Sequence, residues 1–129
     1  ERLPRVSGLR LEDWEKVVAA MEDVVHRGDQ GFGDNGTAWA YIGQNISYRM
    51  AGKSGTAQVV GIKQGEEYEE DELEEFDRKH AWFIAFAPVQ KPVIALAVLV
   101  ENGGGGSSVA APVAREVLDA YLLPQLAVR

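Results

Sequence analysis

The run Ala81-Trp82-Phe83-Ile84-Ala85-Phe86-Ala87-Pro88-Val89-Gln90-Lys91-Pro92-Val93-Ile94-Ala95-Leu96-Ala97-Val98-Leu99-Val100 decides the fold. Two apolar segments rich in aromatic and β-branched residues are separated by Pro88 to Pro92, a five-residue connection. That length suits a hairpin with a loose loop and is too short for a crossover, so the two strands are expected antiparallel. Pro92 starts its strand rather than interrupting it. Val93 to Val100 shows no polar alternation, which predicts a central strand covered on both faces by helices. Upstream, Tyr48 to Val60 also has strand character and contributes the remaining strand.

Helices are expected on either side. From Leu11 to Arg27, Trp14, Val17, Val18, Met21, Val24 and Val25 recur at three- and four-residue steps, while Glu12, Asp13, Glu15 and Lys16 fall elsewhere. Acids crowd the start, His26 and Arg27 the end, and Gly28 follows as a stop. Residues 28–47 read as loop, with a short extended piece near Trp39-Ala40-Tyr41. Asn102 to Ser108 is a flexible turn. The last helix should begin between Ser108 and Ala111, because Pro112 is comfortable only in a first turn. Val113, Val117 and Tyr121 step by four along it, and Pro124 should end it. The fold class is α+β: an antiparallel sheet flanked by N- and C-terminal helices.

Composition narrows the function. At 129 residues and 46% hydrophobic, the chain has the size of one ordinary domain. It contains no cysteine, which removes disulfides and cysteine–zinc sites. Its longest apolar run, Val93 to Val100, is far below the roughly 20 residues that span a bilayer. Glu1-Arg2-Leu3-Pro4 does not open like a signal peptide, so any membrane anchor is expected outside these residues. The net charge of −7 is local: residues 66–77 hold nine acids and no Lys or Arg, and everything else carries a net +2. Such a block is expected to be a solvated loop, with a docking site for a basic partner as the rarer alternative.

The stretch Lys53-Ser54-Gly55-Thr56 is the one candidate for chemistry, against the plainer reading of a polar strand start. Gly52-Lys53-Ser54 imitates the end of a phosphate-binding loop, but the glycine needed five residues before Gly52 is Ser47. Gly31-x-Gly33-x-x-Gly36 matches a dinucleotide fingerprint by letter, yet it follows a helix instead of a strand. His26 and His80 lack paired ligand spacing, so no metal is expected. Trp82, Phe83 and Phe86 have no basic residues interleaved and read as core, so no nucleic acid is expected either. No cofactor is implied.

The surroundings of Lys53 sharpen the picture. Ala51-Gly52-Lys53-Ser54-Gly55-Thr56-Ala57-Gln58, then His80-Ala81-Trp82-Phe83-Ile84-Ala85-Phe86-Ala87-Pro88, then Val100-Glu101-Asn102-Gly103-Gly104-Gly105-Gly106-Ser107 occur in order, each at a strand or strand end. Together they resemble the C-terminal part of the transpeptidase domain of class B penicillin-binding proteins, in particular the Gram-negative penicillin-binding protein 2 group. The resemblance implies the fold shared by these enzymes and serine β-lactamases. It implies that Lys53 assists proton traffic, that Ser54 and Thr56 donate hydroxyl hydrogen bonds to the carboxylate of a D-alanyl-D-alanine stem peptide, and that the Thr56 N–H is half of an oxyanion hole. Gly55 lets substrate backbone lie along the strand. It further implies β-lactams as ligands, a cell-elongation glycosyltransferase as partner, and a place at the periplasmic face of the bacterial inner membrane.

The departure is the nucleophile. This enzyme group uses Ser-x-x-Lys, Ser-x-Asn and Lys-Thr/Ser-Gly. None of Ser7, Ser47, Ser54, Ser107 and Ser108 begins either of the first two. Residues 1–129 are therefore expected to be the C-terminal portion of a transpeptidase domain, inactive alone, whose N-terminal half carries the serine. A non-catalytic peptide-binding module, or a D,D-carboxypeptidase or β-lactamase relative, stays open. Alternation also puts Ser54 and Thr56 on one strand face and Lys53 on the other, so Lys53 would have to reach the cleft with its long stem.

Overall fold

The computed structural model describes residues 4, 6–31, 33–58 and 78–127. Among them, helix α1 (Leu11–His26) leads through a wide π-type turn, Trp39–Gly43, to strand β1 (Ala51–Ala57). Strands β2 (His80–Ala87) and β3 (Ile94–Val100) follow. A second π-type turn, Gly106–Ala110, runs directly into helix α2 (Ala111–Ala127). The order across the sheet is β1-β2-β3 and both pairings are antiparallel. The β2–β3 hairpin is closed by the Val93 N–H on the Ala87 carbonyl at 3.0 Å. The antiparallel α+β architecture is the expected one. The acidic stretch 66–77, and Val59 and Val60, lie outside the described residues.

Register explains the core. Gly52 faces Ala85, Ser54 faces Phe83 and Thr56 faces Ala81, while Phe83 and Ala85 face Val98 and Leu96 on the other side. Cross-strand partners share a face, and this face is the one packed with Ala110, Ala111, Ala114, Leu118 and Leu122. Phe83 is completely buried there. Gly52 makes its room: a Cβ at that position would come within 2.7 Å of the Phe83 ring. Val25, Ile42 and Met50 extend the cluster toward α1.

Three expectations are corrected, and α2 shows a packing preference that the stepping of Val113, Val117 and Tyr121 does not announce. β3 is not central: β2 lies between its neighbours, and along β3 Ala95, Ala97 and Leu99 are exposed while the alternate residues are half-buried. Helices cover one face of β3, and a continuous apolar run cannot reveal that. The piece near Trp39 is a helical turn, not extended. α2 buries Ala114, Leu118 and Leu122 and leaves Val113, Val117 and Tyr121 exposed. It carries two apolar stripes, and the one containing the small Ala114 allows the closer approach to the sheet. Finally, Pro124 lies inside α2, which continues to Ala127. So near the end, the missing N–H removes a single internal hydrogen bond.

α1 forms where its periodicity predicts, with Glu12 and Asp13 at its start and His26 in its last turn. Its stripe is only half used. Val25 is buried, whereas Trp14 and Val17 are half exposed.

Candidate functional site

Lys53, Ser54, Gly55 and Thr56 occupy the middle of β1, which is an edge of the described sheet. Every second peptide of an edge strand turns its N–H and C=O away from its partner. Along this edge lies an open groove of about 490 Å³, lined by all four residues together with Thr37, Tyr41, Gly105, Gly106, Ser107 and Ser108. The edge position answers the alternation problem. Lys53 pairs with Ile84 and Ser54 with Phe83, so they belong to opposite faces. A groove running past a free edge is reached from both.

The opposite wall depends on one close approach. A Cβ on Gly106 would sit 2.5 Å from the carbonyl oxygens of both Gly55 and Trp82, and 2.9 Å from the Gly55 nitrogen. Only a residue without a side chain lets the chain before α2 lie this tightly on the β1–β2 pair. Ser107 and Ser108 are thereby brought against the strand bearing Lys53.

The groove's chemistry is one-sided. Among the described residues its lining holds one cation, Lys53, several hydroxyls and no carboxylate. The Lys53 ammonium donates to the Ser54 carbonyl at 2.6 Å, a local contact on the surface. Ser108 Oγ makes only a long 3.4 Å contact with the Gly105 carbonyl. Such a surface suits an anionic, extended ligand.

The start of β1 is tethered to α1. The Met50 N–H donates to His26 Nε2 at 3.0 Å, and Arg49 Nε donates to Glu22 Oε1 at 2.6 Å. Burial, with the Arg49 guanidinium second, holds the His26 imidazole below its ordinary value of 6.5. His80 has a similar architectural duty, its Nδ1 accepting from the Asn102 N–H at 2.9 Å. Both imidazoles thus accept from backbone. Among the described residues no three His, Cys, Asp or Glu side chains cluster to hold a metal.

A larger hollow of about 590 Å³ opens between α1 and the β2–β3 connection, lined by Trp14, Glu15, Val18, Ala19, Glu22, Phe86, Val89, Pro92 and Ala95. Its described lining is mostly hydrocarbon, whereas the groove at β1 gathers an ammonium and several hydroxyls.

All four residues singled out from the sequence are brought together. Thr37, Tyr41, Ser107 and Ser108 were missed. The four glycines preceding Ser107 were the available signal for a close backbone approach. Nothing local marked Thr37 or Tyr41, which arrive from a turn far upstream.

Comparison with known proteins identifies the family. The pattern defining the penicillin binding protein transpeptidase domain matches residues 6–119. The peptidoglycan D,D-transpeptidase MrdA of Haemophilus influenzae is 41% identical over 126 residues, covering 95% of this chain and 18% of the relative. MrdA of Acinetobacter baumannii is 44% identical over 115 residues, covering 87% of this chain and 15% of the relative. Among solved structures, Pseudomonas aeruginosa penicillin-binding protein 2 in complex with WCK 5153 superposes with a TM-score of 0.70 at 42% identity, over 93% of this chain and 22% of that one. Penicillin-binding protein 2 of Helicobacter pylori, solved with MreC, gives 0.61 at 29% identity, over 85% and 18%. The chain spans less than a quarter of each, and that part includes the strand edge built around Lys53, so it belongs to the penicillin-binding protein transpeptidase domain family.

Proposed function

We propose that this chain supplies the substrate-carboxylate and oxyanion side of a serine-type peptidoglycan D,D-transpeptidase, with the nucleophile on residues outside this sequence. The observation that carries the reading is the groove at the β1 edge, whose described lining offers an ammonium and several hydroxyls. The anionic end of a D-alanyl-D-alanine stem peptide, or the carboxylate of a β-lactam, is held by Ser54 and Thr56. Gly55 leaves space for substrate backbone to pair with the strand. Lys53 provides positive charge beside the reacting centre and assists proton movement. The Thr56 N–H stabilises the oxyanion together with an N–H of the nucleophile, a preorganised donor worth about 3–4 kcal/mol in the transition state.

Residues 1–129 are the C-terminal portion of the domain in this reading. The uncovered apolar face supports it: Trp82, Ile84 and Leu99 on the sheet and Trp14 and Val17 on α1 are exposed, and the nucleophile-bearing part is the cover they await. The whole protein works at the periplasmic face of the inner membrane, anchored by residues other than these, beside a cell-elongation glycosyltransferase. Among the described residues no helix is long and apolar enough to cross a membrane.

The experiment is covalent labelling of the intact protein with fluorescent penicillin. Lys53→Ala should slow acylation at least about a hundredfold, the usual scale for removing a group active in proton transfer. Unchanged labelling in the variant refutes the role of Lys53. An intact protein that binds stem peptide but takes no label establishes the non-catalytic module instead.

A further inference from the structure

A further wall of the groove hangs between the two helices. Thr37 and Tyr41 belong to the segment that forms the turn Trp39–Gly43. Ahead of the turn, α1 holds that segment: the Gly36 N–H donates to the Arg27 carbonyl at 2.8 Å and the Ala38 N–H to the Val24 carbonyl at 2.9 Å. Behind it, α2 takes over through one side chain. Arg115 Nη1 donates to the Ile42 carbonyl at 2.8 Å and Nη2 to the Asn45 carbonyl at 3.1 Å. Its Nε lies 2.8 Å from both carboxylate oxygens of Asp119. Asp119 Oδ1 also accepts from the Tyr48 hydroxyl at 2.7 Å, and the guanidinium carbon lies 5.9 Å from the centre of the Tyr48 ring.

Each part has a physical reason. Carbonyls at the trailing end of a helical turn lack intrahelical donors, and a planar guanidinium can serve two of them while still pairing with a carboxylate. A lysine, with one nitrogen, cannot span the same set. In an isolated helix, the basic residue placed before the acidic one at this spacing is the less favourable order. Tertiary contacts, not helix propensity, account for the pair. Tyr48 precedes β1, so the same carboxylate also fixes the approach to the strand carrying Lys53. The turn that holds Ser107 and Ser108, Gly106–Ala110, runs into α2. One helix therefore ties three walls of the groove together.

We propose that Arg115 and Asp119 are positioning residues that hold the Tyr41 wall at a set distance from the Lys53–Thr56 strand, and so determine how an extended peptide or β-lactam seats. The inference rests on the groove being the peptide site. It assigns the pair no contact with ligand: the pair acts through Tyr41.

The test uses the intact protein with Arg115→Lys, Asp119→Asn and Tyr41→Ala, and the double variant Arg115→Lys/Tyr41→Ala. Acylation by fluorescent penicillin is followed against concentration. Arg115→Lys and Asp119→Asn should each raise the half-saturating concentration about tenfold or more, since displacements near 1 Å have effects of that order or larger. The limiting acylation rate should change far less. In the Tyr41→Ala background, Arg115→Lys should add little further. Full additivity, or a fall confined to the limiting rate, overturns the proposal. Amide hydrogen exchange gives a readout independent of acylation: Arg115→Lys should speed exchange in residues 39–45 while β2 stays protected. Unchanged exchange there overturns the proposal too. An intact protein that no penicillin labels refutes the peptide-site reading, and the exchange result then decides whether the clasp holds the wall.

Discussion

Gly106→Ala is the most direct perturbation of the groove. The added methyl would lie 2.5 Å from two carbonyl oxygens and 2.9 Å from a backbone nitrogen, all belonging to paired residues of β1 and β2. Ordinary contact needs about 3.4 Å or more, so the turn must retreat by roughly 1 Å, because paired strand backbone cannot yield as a side-chain tip would. Backbone conformation is not the obstacle, since Gly106 does not occupy the left-handed region. Overpacking of this kind costs about 1–3 kcal/mol, enough to lower the melting midpoint by a few degrees. The larger effect should fall on the groove, because Ser107, Ser108 and the start of α2 move with the turn. Second-order acylation by fluorescent penicillin should drop by about one to two orders of magnitude, measured beside a thermal melt of the same intact variant. A variant that melts and acylates like the parent would show that the tight approach of Gly106 has no bearing on the site, and the account of the wall that carries Ser107 and Ser108 would fail with it.

Two further perturbations address the frame. Phe83→Ala should destabilise by about 3–5 kcal/mol, as expected for deleting a fully buried aromatic ring, and chemical denaturation would show it as a lowered midpoint. Because Gly52 leaves space for that ring, the variant should also loosen β1, seen as faster amide exchange. The His26 imidazole is held below 6.5 in the folded chain, so the unfolded chain binds its proton more readily. Its contribution to stability is whole above pH 6.5 and is lost as pH falls through the depressed folded value. Melting midpoints collected between pH 7.5 and about 4.5 should decline in this window, and His26→Gln should flatten the decline. An equally steep slope in the variant would assign it to other groups.

Tyr48 illustrates how tertiary contacts alter a side chain that the sequence presents as ordinary. Burial first, then its hydrogen bond to Asp119, pushes its phenol well above the usual tyrosine range. It remains a neutral donor throughout the physiological range. That is the state required of the group bridging α2 to the approach of β1.

Local chemistry was sufficient for much of this molecule. The short connection between Ala87 and Val93 admits only an antiparallel pair, and the helical period of residues 11–26 holds whatever packs against it. The letters Lys53-Ser54-Gly55-Thr56 carried the candidate chemistry, because an ammonium and hydroxyls on extended backbone make the same offer to an anion in any setting. Three things were settled by packing alone: that β1 is an edge of the described sheet, that α2 turns Ala114 and Leu118 inward in preference to Val113 and Val117, and that Thr37 and Tyr41 help to line the groove. Periodicity reports only the neighbours along a chain. Which strand stays unpaired, and which of two apolar stripes is covered, depend on surfaces contributed by residues dozens of positions away.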